Sequence, residues 1–270
     1  MTFQSVLGCG ENNGWLAMCR RTWRVCVGVG LLLLMGHSVI VAEESAENDS
    51  DPPATKEQSN KPTAHTKREL AGWTVRVDDR LLHGPGAARG SDILFQLEAK
   101  LRDIAVVVPP EKLKKLRQVT IVLDQSHGEL GTMQYHPSAD WLTDNGYAAD
   151  LEKCVHIPRA SELLNSRDIR EQPWCVLHEL AHAYHDQVHG FDDPRILEAY
   201  NKYKASGRGE KALLYDGKRV KHYALTNQME FFAEMTEAYF GANDFFPFNR
   251  GELIESEPEI LQLMEEIWMK

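Results

Sequence analysis

Two histidines four positions apart, with a glutamate beside the first, are the residues of this sequence whose spacing could do chemistry. His178, Glu179 and His182 lie in the run His-Glu-Leu-Ala-His. In a helix, both imidazoles lie one turn apart on the same face and can bind one ion. Glu179 is rotated by about 100° from His178, so it can address a water molecule on the ion. The spacing predicts a zinc hydrolase centre with Glu179 as the general base.

A third ligand must come from outside this motif, because a catalytic zinc site needs three protein ligands and an open position for water. The local extension typical of metzincins has Gly at position 185 and His at position 188, where this chain has His185 and Val188. Glu230 and Glu234 lie four residues apart in a segment predicted to be helical, so they share one face. One carboxylate can bind the ion while the other accepts a hydrogen bond from the far nitrogen of a ligating histidine.

These residues belong to two motifs that resemble a known family. The run from Tyr223 to Glu234, Tyr-Ala-Leu-Thr-Asn-Gln-Met-Glu-Phe-Phe-Ala-Glu, resembles the second motif of the anthrax lethal factor family of zinc metallopeptidases. The run from His178 to His182 resembles the first motif of that family. The Mlc titration factor A family of bacterial peptidases has a similar pair of motifs. By motif, the resemblance covers roughly the second half of the chain.

The resemblance implies a zincin-like α+β fold of the gluzincin type. The implied activity is cleavage of peptide bonds in a peptide or protein substrate. The resemblance also implies a role for each residue of the two motifs. The implied roles are Zn²⁺ ligation by His178, His182 and Glu230, general base catalysis on the zinc-bound water by Glu179, donation to the oxyanion by Tyr223, and an outer hydrogen bond to a ligating histidine by Glu234.

Each motif also has an ordinary structural explanation. Helices with surface histidines are common, Asn227 and Glu230 fit a helix capping box, and Tyr223 in a strand is usually a packed aromatic residue. Two other functions are compatible with a zinc site: a non-catalytic module that binds a protein or cell-wall partner, and a hydrolase of a non-peptide amide bond. His185 departs from the resemblance, because relatives tend to carry Asp there. Five further histidines are predicted to be structural or surface groups: His127, His136, His156, His189 and His222.

The spacing of apolar residues predicts an α+β domain with a small mixed sheet and a mainly helical C-terminal half. Strands are predicted at 73–77, 119–123, 133–136 and 154–157, and helices at 91–106, 173–189, 194–204, 227–240 and 257–268. Asp216 and Gly217 predict the turn of a hairpin. The strand at 154–157 is expected to be an edge strand, where an extended peptide can bind by β-augmentation.

The N-terminal part of the chain predicts export. Three arginines precede an apolar stretch at 25–35, so residues 1–42 are predicted to be a signal peptide. An uncleaved membrane anchor is the alternative. Residues 43–68 lack aromatic residues and are predicted to be a disordered linker, which leaves 69–270 as one zinc metallopeptidase domain. The protein is expected to be secreted or periplasmic, with no stable membrane association after cleavage.

Chain length, charge and cysteine content limit the size of the core, the classes of partner and the possible disulfides. A chain of 270 residues with 43% apolar content can bury one good core. The formal net charge of −10 disfavours nucleic acid or an anionic membrane as a partner. After the predicted signal peptide only Cys154 and Cys175 remain, and they could form a disulfide or stay as free buried thiols. The sequence does not indicate an oligomeric state.

Overall fold

A small sheet occupies the N-terminal half of the domain in this computed structural model, which describes residues 61–128 and 130–270. The predicted signal peptide and residues 43–60 of the predicted linker lie outside the described residues. Five strands form one sheet in the order β1-β2-β3-β5-β4, and β6 pairs with β7 as a hairpin. The strands are β1 (His65–Leu70), β2 (Trp73–Asp78), β3 (Ile121–Leu123), β4 (Gln134–Tyr135), β5 (Val155–Ile157), β6 (Ala212–Leu213) and β7 (Arg219–Val220).

The three central strands of the sheet are held by apolar side chains. β2, β3 and β5 run parallel, whereas β1 and β4 are antiparallel to their neighbours. Aliphatic residues alternate along the central strands, so one face of each strand enters the main core. The buried residues of that face are Val75, Val77, Ile121, Leu123, Val155 and Ile157. This mixed sheet, together with the helices, confirms the predicted α+β class.

The helices fill the remainder of the domain. The α-helices within the described residues are α1 (Ala87–Val107), α2 (Pro110–Leu116), α3 (Ala139–Asp144), α4 (Cys175–Tyr184), α5 (Pro194–Ser206), α6 (Gln228–Phe240), α7 (Arg250–Ser256) and α8 (Pro258–Trp268). The helix predicted at 173–189 is α4 followed by a π-helical turn at His185–His189. Among residues 61–128 and 130–270, no helix combines the length and apolar character needed to cross a membrane. Cys154 and Cys175 are free thiols.

The folded region begins earlier than predicted. β1 pairs with β2 along its whole length, so residues 65–68, which were predicted to end a disordered linker, form a strand. Lys67, Arg68 and Glu69 in the middle of β1 are exposed. Backbone hydrogen bonds to β2 hold this strand, rather than a continuous row of buried apolar side chains. Composition does not reveal a strand of that kind.

The sheet order places a different strand at the edge from the one predicted. β5 covers most of the predicted strand 154–157, but it lies between β3 and β4 and is therefore not an edge strand. The edge strand next to β5 is β4, which is two residues long and antiparallel to β5, and β1 forms the other edge of the sheet. A strand as short as β4 has almost no periodicity, so its pairing partner cannot be predicted from the sequence.

Candidate metal centre

Helices α4 and α6 pack side by side and run antiparallel. Trp174, just before α4, contacts Gly241, just after α6, where a Cβ atom would overlap the indole ring. At the opposite end of the pair, Tyr184 and Phe232 both stack on Trp268 of α8, with ring centroids 4.5 and 5.9 Å from the Trp268 ring. These contacts bury apolar surface at both ends and fix the register of the two helices. Side chains on the facing stripes are thereby brought together.

The three predicted metal ligands meet on these facing stripes. The Nε2 atom of His178 lies 3.0 Å from Oε2 of Glu230, and the Nε2 atom of His182 lies 3.5 Å from the same oxygen. The centroids of the two imidazole rings are 4.8 Å apart. Each histidine side chain is 12% exposed and that of Glu230 is 4% exposed. Two nitrogen donors and one oxygen donor therefore converge at a site that is largely shielded from solvent.

Asn227 places Glu230 at the start of α6. Its Oδ1 accepts hydrogen bonds from the backbone nitrogens of Met229 and Glu230, each 2.9 Å long, as expected of an N-cap. A complete capping box would return the Glu230 carboxylate to the Asn227 backbone. That carboxylate instead forms its hydrogen bond with His178. The N-cap is therefore present, but its usual reciprocal partner faces the histidines.

The hydrogen bond at the far nitrogen of His178 is with Glu237 and not with the predicted Glu234. The Nδ1 atom of His178 donates to Oε1 of Glu237 over 2.6 Å. On α6, position 237 is rotated by about 20° from position 230, whereas position 234 is rotated by about 40°. Glu237 therefore aligns better with Glu230 and with His178 across the antiparallel pair. The seven-residue spacing is visible in the sequence and could have indicated this role.

Glu234 is buried next to this contact. A Glu234 carboxylate oxygen lies within 4.8 Å of donor atoms of His178 and Glu237, and its Oε2 is 3.7 Å from Nδ1 of His222. Burial, with the charges of Asp244 and Glu237, raises the pKa of Glu234 well above its usual value. Glu234 is therefore suited to remain a neutral acid beside the contact between His178 and Glu237.

A substitution of Glu237 should weaken metal binding without removing a ligand. Glu237→Ala removes the acceptor that orients His178, and loss of such a partner typically costs about 10–100-fold in metal affinity. Competition titrations with a zinc indicator measure this change. Glu234→Ala, in the same helix and equally buried, is the matched control and should have a smaller effect. A larger loss of affinity in Glu234→Ala than in Glu237→Ala would contradict the assignment.

Glu179 faces the edge strand β4. Its Oε2 accepts a 2.8 Å hydrogen bond from the backbone nitrogen of Tyr135. Gln134 pairs with His156 of β5, and the backbone of His136 hydrogen-bonds to Cys154 and Lys153. Tyr135, opposite Val155, therefore lies at a non-hydrogen-bonded position, and its amide points away from β5. The Tyr135 hydroxyl donates in turn to Asp186 over 2.6 Å. A carboxylate oxygen of Glu179 also lies within 4.8 Å of donor nitrogens of His178 and His182, within reach of a water molecule beside them. The sequence does not predict this contact, because a backbone amide is present in every residue type except proline.

Burial and neighbouring charges shift the pKa values of Glu179 and Glu230 in opposite directions. Burial raises the pKa of Glu179, and the imidazoles of His182 and His178 offset only part of that effect. Burial also acts to raise the pKa of Glu230, but the contacts with His182 and His178 outweigh it and hold the pKa far below its usual value. Glu230 is thus kept ionised as a ligand must be, while Glu179 is shifted toward the range that a general base requires.

Tyr223 begins a 3₁₀ turn at Tyr223–Leu225 rather than lying in a strand. The turn packs against α6, and the half-buried Tyr223 lies against the apolar cluster around Phe245. His222 caps the turn, because its Nδ1 accepts a 3.1 Å hydrogen bond from the backbone nitrogen of Ala224. Tyr223 is therefore held in the segment that leads directly into the helix of Glu230.

His185, the first residue after α4, packs against aromatic side chains. Its ring is completely buried and contacts Phe191 and Phe232, with centroids 5.2 and 5.0 Å apart. Burial lowers its pKa to about 3, so the ring is neutral. Neither ring nitrogen has a hydrogen-bond partner in the described part of the chain. The departure from the resemblance at this position therefore affects packing and not the hydrogen bonds of His178.

The donor set has the chemistry that a divalent metal ion needs. It combines two imidazole nitrogens with an ionised carboxylate, and the far nitrogen of His178 is held by another carboxylate, as is usual for metal-ligating histidines. Histidine and glutamate donor atoms within 4.8 Å of one another could hold a metal ion, and in the described part of the chain they include those of His178, Glu179 and His182. Comparisons of the chain with protein-family models, with curated proteins and with solved structures gave no match.

Proposed function

We propose that this protein is an exported zinc-dependent metallopeptidase with a zincin-like domain of the anthrax lethal factor type. The observation that carries the proposal is the contact of Glu230 with both His178 and His182. Two histidines at helical spacing are common in proteins that bind no metal. A carboxylate from a separate helix that reaches both rings, with Glu237 supporting one of them, is a more specific arrangement. Export rests on the predicted signal peptide.

Zinc is the ion that best suits two imidazoles and one carboxylate when one position stays open. When bound, zinc supplies Lewis acidity that polarises a carbonyl and lowers the pKa of water. Glu230 contributes the negative charge that binds the ion. Glu237 fixes the orientation of the His178 ring and makes it a better donor.

Glu179 is proposed to carry the proton during hydrolysis. Its carboxylate takes a proton from the attacking water molecule and later delivers it to the leaving amine. The Tyr135 amide holds one carboxylate oxygen, which leaves the other oxygen for the water. The raised pKa of Glu179 supports this role, because a base works best when its pKa is near the working pH.

Tyr223 is proposed to donate a hydrogen bond to the oxyanion that forms during attack. A donor of this kind is typically worth about 2.7–4 kcal/mol in the transition state. The assignment comes from the resemblance, and it is supported by the position of Tyr223 in the turn that packs against α6.

A peptide or protein substrate is proposed on the resemblance of the two motifs to a family of metallopeptidases. The edge strand β4 borders the proposed base, because the outward-facing amide of Tyr135 donates to Glu179. That amide is therefore not available to pair with a substrate backbone, and β4 is assigned the role of holding Glu179.

Profiling of cleavage products tests the proposed function. The purified full chain loaded with zinc is incubated with a peptide library and, in parallel, with cell-wall fragments, and new termini are identified by mass spectrometry. We expect cleavage of peptides that stops when zinc is chelated and returns when zinc is restored. Cleavage of wall fragments alone would indicate a hydrolase of a non-peptide amide bond instead of a peptidase. Cleavage that survives complete chelation would reject both kinds of zinc hydrolase.

A further inference from the structure

A second group of histidines surrounds a buried carboxylate, away from helices α4 and α6. Asp124, directly after β3, is completely buried. Its Oδ2 lies 2.6 Å from Nδ1 of His127 and 2.8 Å from Nε2 of His156, and its Oδ1 lies 2.6 Å from Nε2 of His65. Donor atoms of Asp124, His127 and His156 all lie within 4.8 Å of one another. Of these residues, His127 and His156 were predicted to be structural or surface groups, and none of the four belongs to the proposed catalytic site.

The alternation of the strands explains why these side chains meet. Ile121 and Leu123 of β3 enter the main core, so Val122 and Asp124 point to the opposite face of the sheet. His156 of β5 is paired with Val122 and points to that same face. The polar group is therefore built into the second face of the sheet by the strand pattern itself.

The Asp124 carboxylate is surrounded by imidazoles. Its described side-chain hydrogen bonds and ion pairs are all with histidines, and none is with a lysine or an arginine. A buried carboxylate without a compensating positive charge is unfavourable. Imidazole nitrogens together with a carboxylate oxygen are a donor set for zinc and related divalent transition metals. A cation placed among these donors would compensate the charge of this buried carboxylate.

Further contacts hold the donors in place. His65 contacts the Asp124 oxygen that faces away from His127 and His156. The Nδ1 atom of His156 lies 3.2 Å from Nε2 of His136, so the far nitrogen of this ring has a hydrogen-bond partner. Metal-ligating histidines and carboxylates are usually held in this manner by outer groups. The side chain of His65 is 17% exposed, whereas that of His127 is 7% exposed and those of Asp124 and His156 are completely buried.

We propose that Asp124, His127 and His156 bind a second divalent transition-metal ion, of which zinc is the expected one, with His65 and His136 as outer partners. The ion has a structural role. It joins the end of β3 and the loop after it to β5, and His136 extends the link to the end of β4. The next residue back along β4 is Tyr135, whose amide holds Glu179. The site thereby stiffens the sheet edge that borders the catalytic centre.

Zinc stoichiometry tests this site independently of the catalytic one. The full chain and a His182→Ala, Glu230→Gln variant are dialysed against zinc, and bound zinc per chain is measured by mass spectrometry of the metal. We expect two ions in the wild type and one in the variant, because the variant removes only the first site. Adding His127→Ala to the variant should remove the remaining ion. Adding His189→Ala, which alters a histidine beside Asp193, is the matched control and should leave it bound.

Two results would overturn the second site. One is a folded His182→Ala, Glu230→Gln variant that binds no zinc, which would show that the Asp124 group is a hydrogen-bond network only. The other is an ion that persists after His127→Ala is added. If His127→Ala does not fold, X-ray absorption of zinc in the two-substitution variant replaces it. That spectrum should show two imidazoles and oxygen, and sulfur ligation or a single imidazole would reject the proposal.

Discussion

Glu179→Gln is expected to lower kcat/KM for peptide cleavage by about 10²–10⁴-fold, the usual contribution of a general base. Glutamine keeps the size of the side chain and an oxygen that can accept from the Tyr135 amide. The substitution removes only the ability to take a proton. The position of β4 and the three ligands should therefore be unchanged, and zinc affinity should remain close to that of the wild type.

Initial rates on the best peptide from the library, measured beside zinc titrations of both proteins, separate chemistry from binding. Tyr135→Phe is a useful control, because it keeps the backbone amide that contacts Glu179 while removing the hydroxyl bonded to Asp186. Its rate should fall far less than that of Glu179→Gln. Peptide cleavage at the wild-type rate by zinc-loaded Glu179→Gln would remove Glu179 from the mechanism. Intact zinc binding without peptide cleavage, in the wild type as well as in Glu179→Gln, would favour the non-catalytic zinc module.

Glu230→Gln is expected to cause a greater loss of zinc affinity than the roughly 10–100-fold loss that follows removal of an outer partner such as Glu237. The Glu230 carboxylate is the charged member of the proposed ligand set and contacts both histidines through one oxygen. A neutral amide keeps the shape but supplies no charge to the ion. Peptide cleavage at limiting zinc should be lost together with binding.

The control for Glu230→Gln is a buried carboxylate that is paired elsewhere. Glu257 is buried and accepts hydrogen bonds of 2.7 and 2.6 Å from Arg208. Glu257→Gln should lower the free energy of unfolding while leaving zinc affinity at the catalytic site unchanged. Equal zinc affinity in Glu230→Gln and the wild type, measured in protein whose second site has been removed by His127→Ala, would show that Glu230 is not a ligand.

Local spacing was enough to predict the helices that carry the proposed ligands. The segment predicted at 227–240 is α6, Gln228–Phe240, and the segment predicted at 173–189 is α4 with its π-helical turn. Helical periodicity is a property of neighbouring residues, so it can be recognised in one sequence without knowledge of the fold. The facing of His178, His182 and Glu230 follows once these two helices pack through their apolar stripes.

Contacts between distant segments account for what the sequence did not predict. The role of Glu237 depends on the antiparallel register of α4 and α6, which is set by packing of Trp174 on Gly241 and of Tyr184 and Phe232 on Trp268. The edge position of β4 depends on strand order, which periodicity does not encode.

The Asp124 group also depends on sheet pairing. Its histidines come from β1, the loop after β3, and β5, and they meet only because β2, β3 and β5 are aligned in parallel. In the sequence, His156 is a single polar residue between Val155 and Ile157, a pattern that is more often structural than metal-binding.

Anomalous X-ray scattering at the zinc absorption edge, from crystals of the zinc-loaded full chain, locates the bound ion and its ligands. We expect a strong anomalous peak bonded to Nε2 of His178, Nε2 of His182 and a carboxylate oxygen of Glu230, with Glu179 beside it and not bonded to it. A zinc-loaded crystal with no peak between these three side chains, or with Glu230 turned away from an ion held by other residues, would contradict the proposed ligand set.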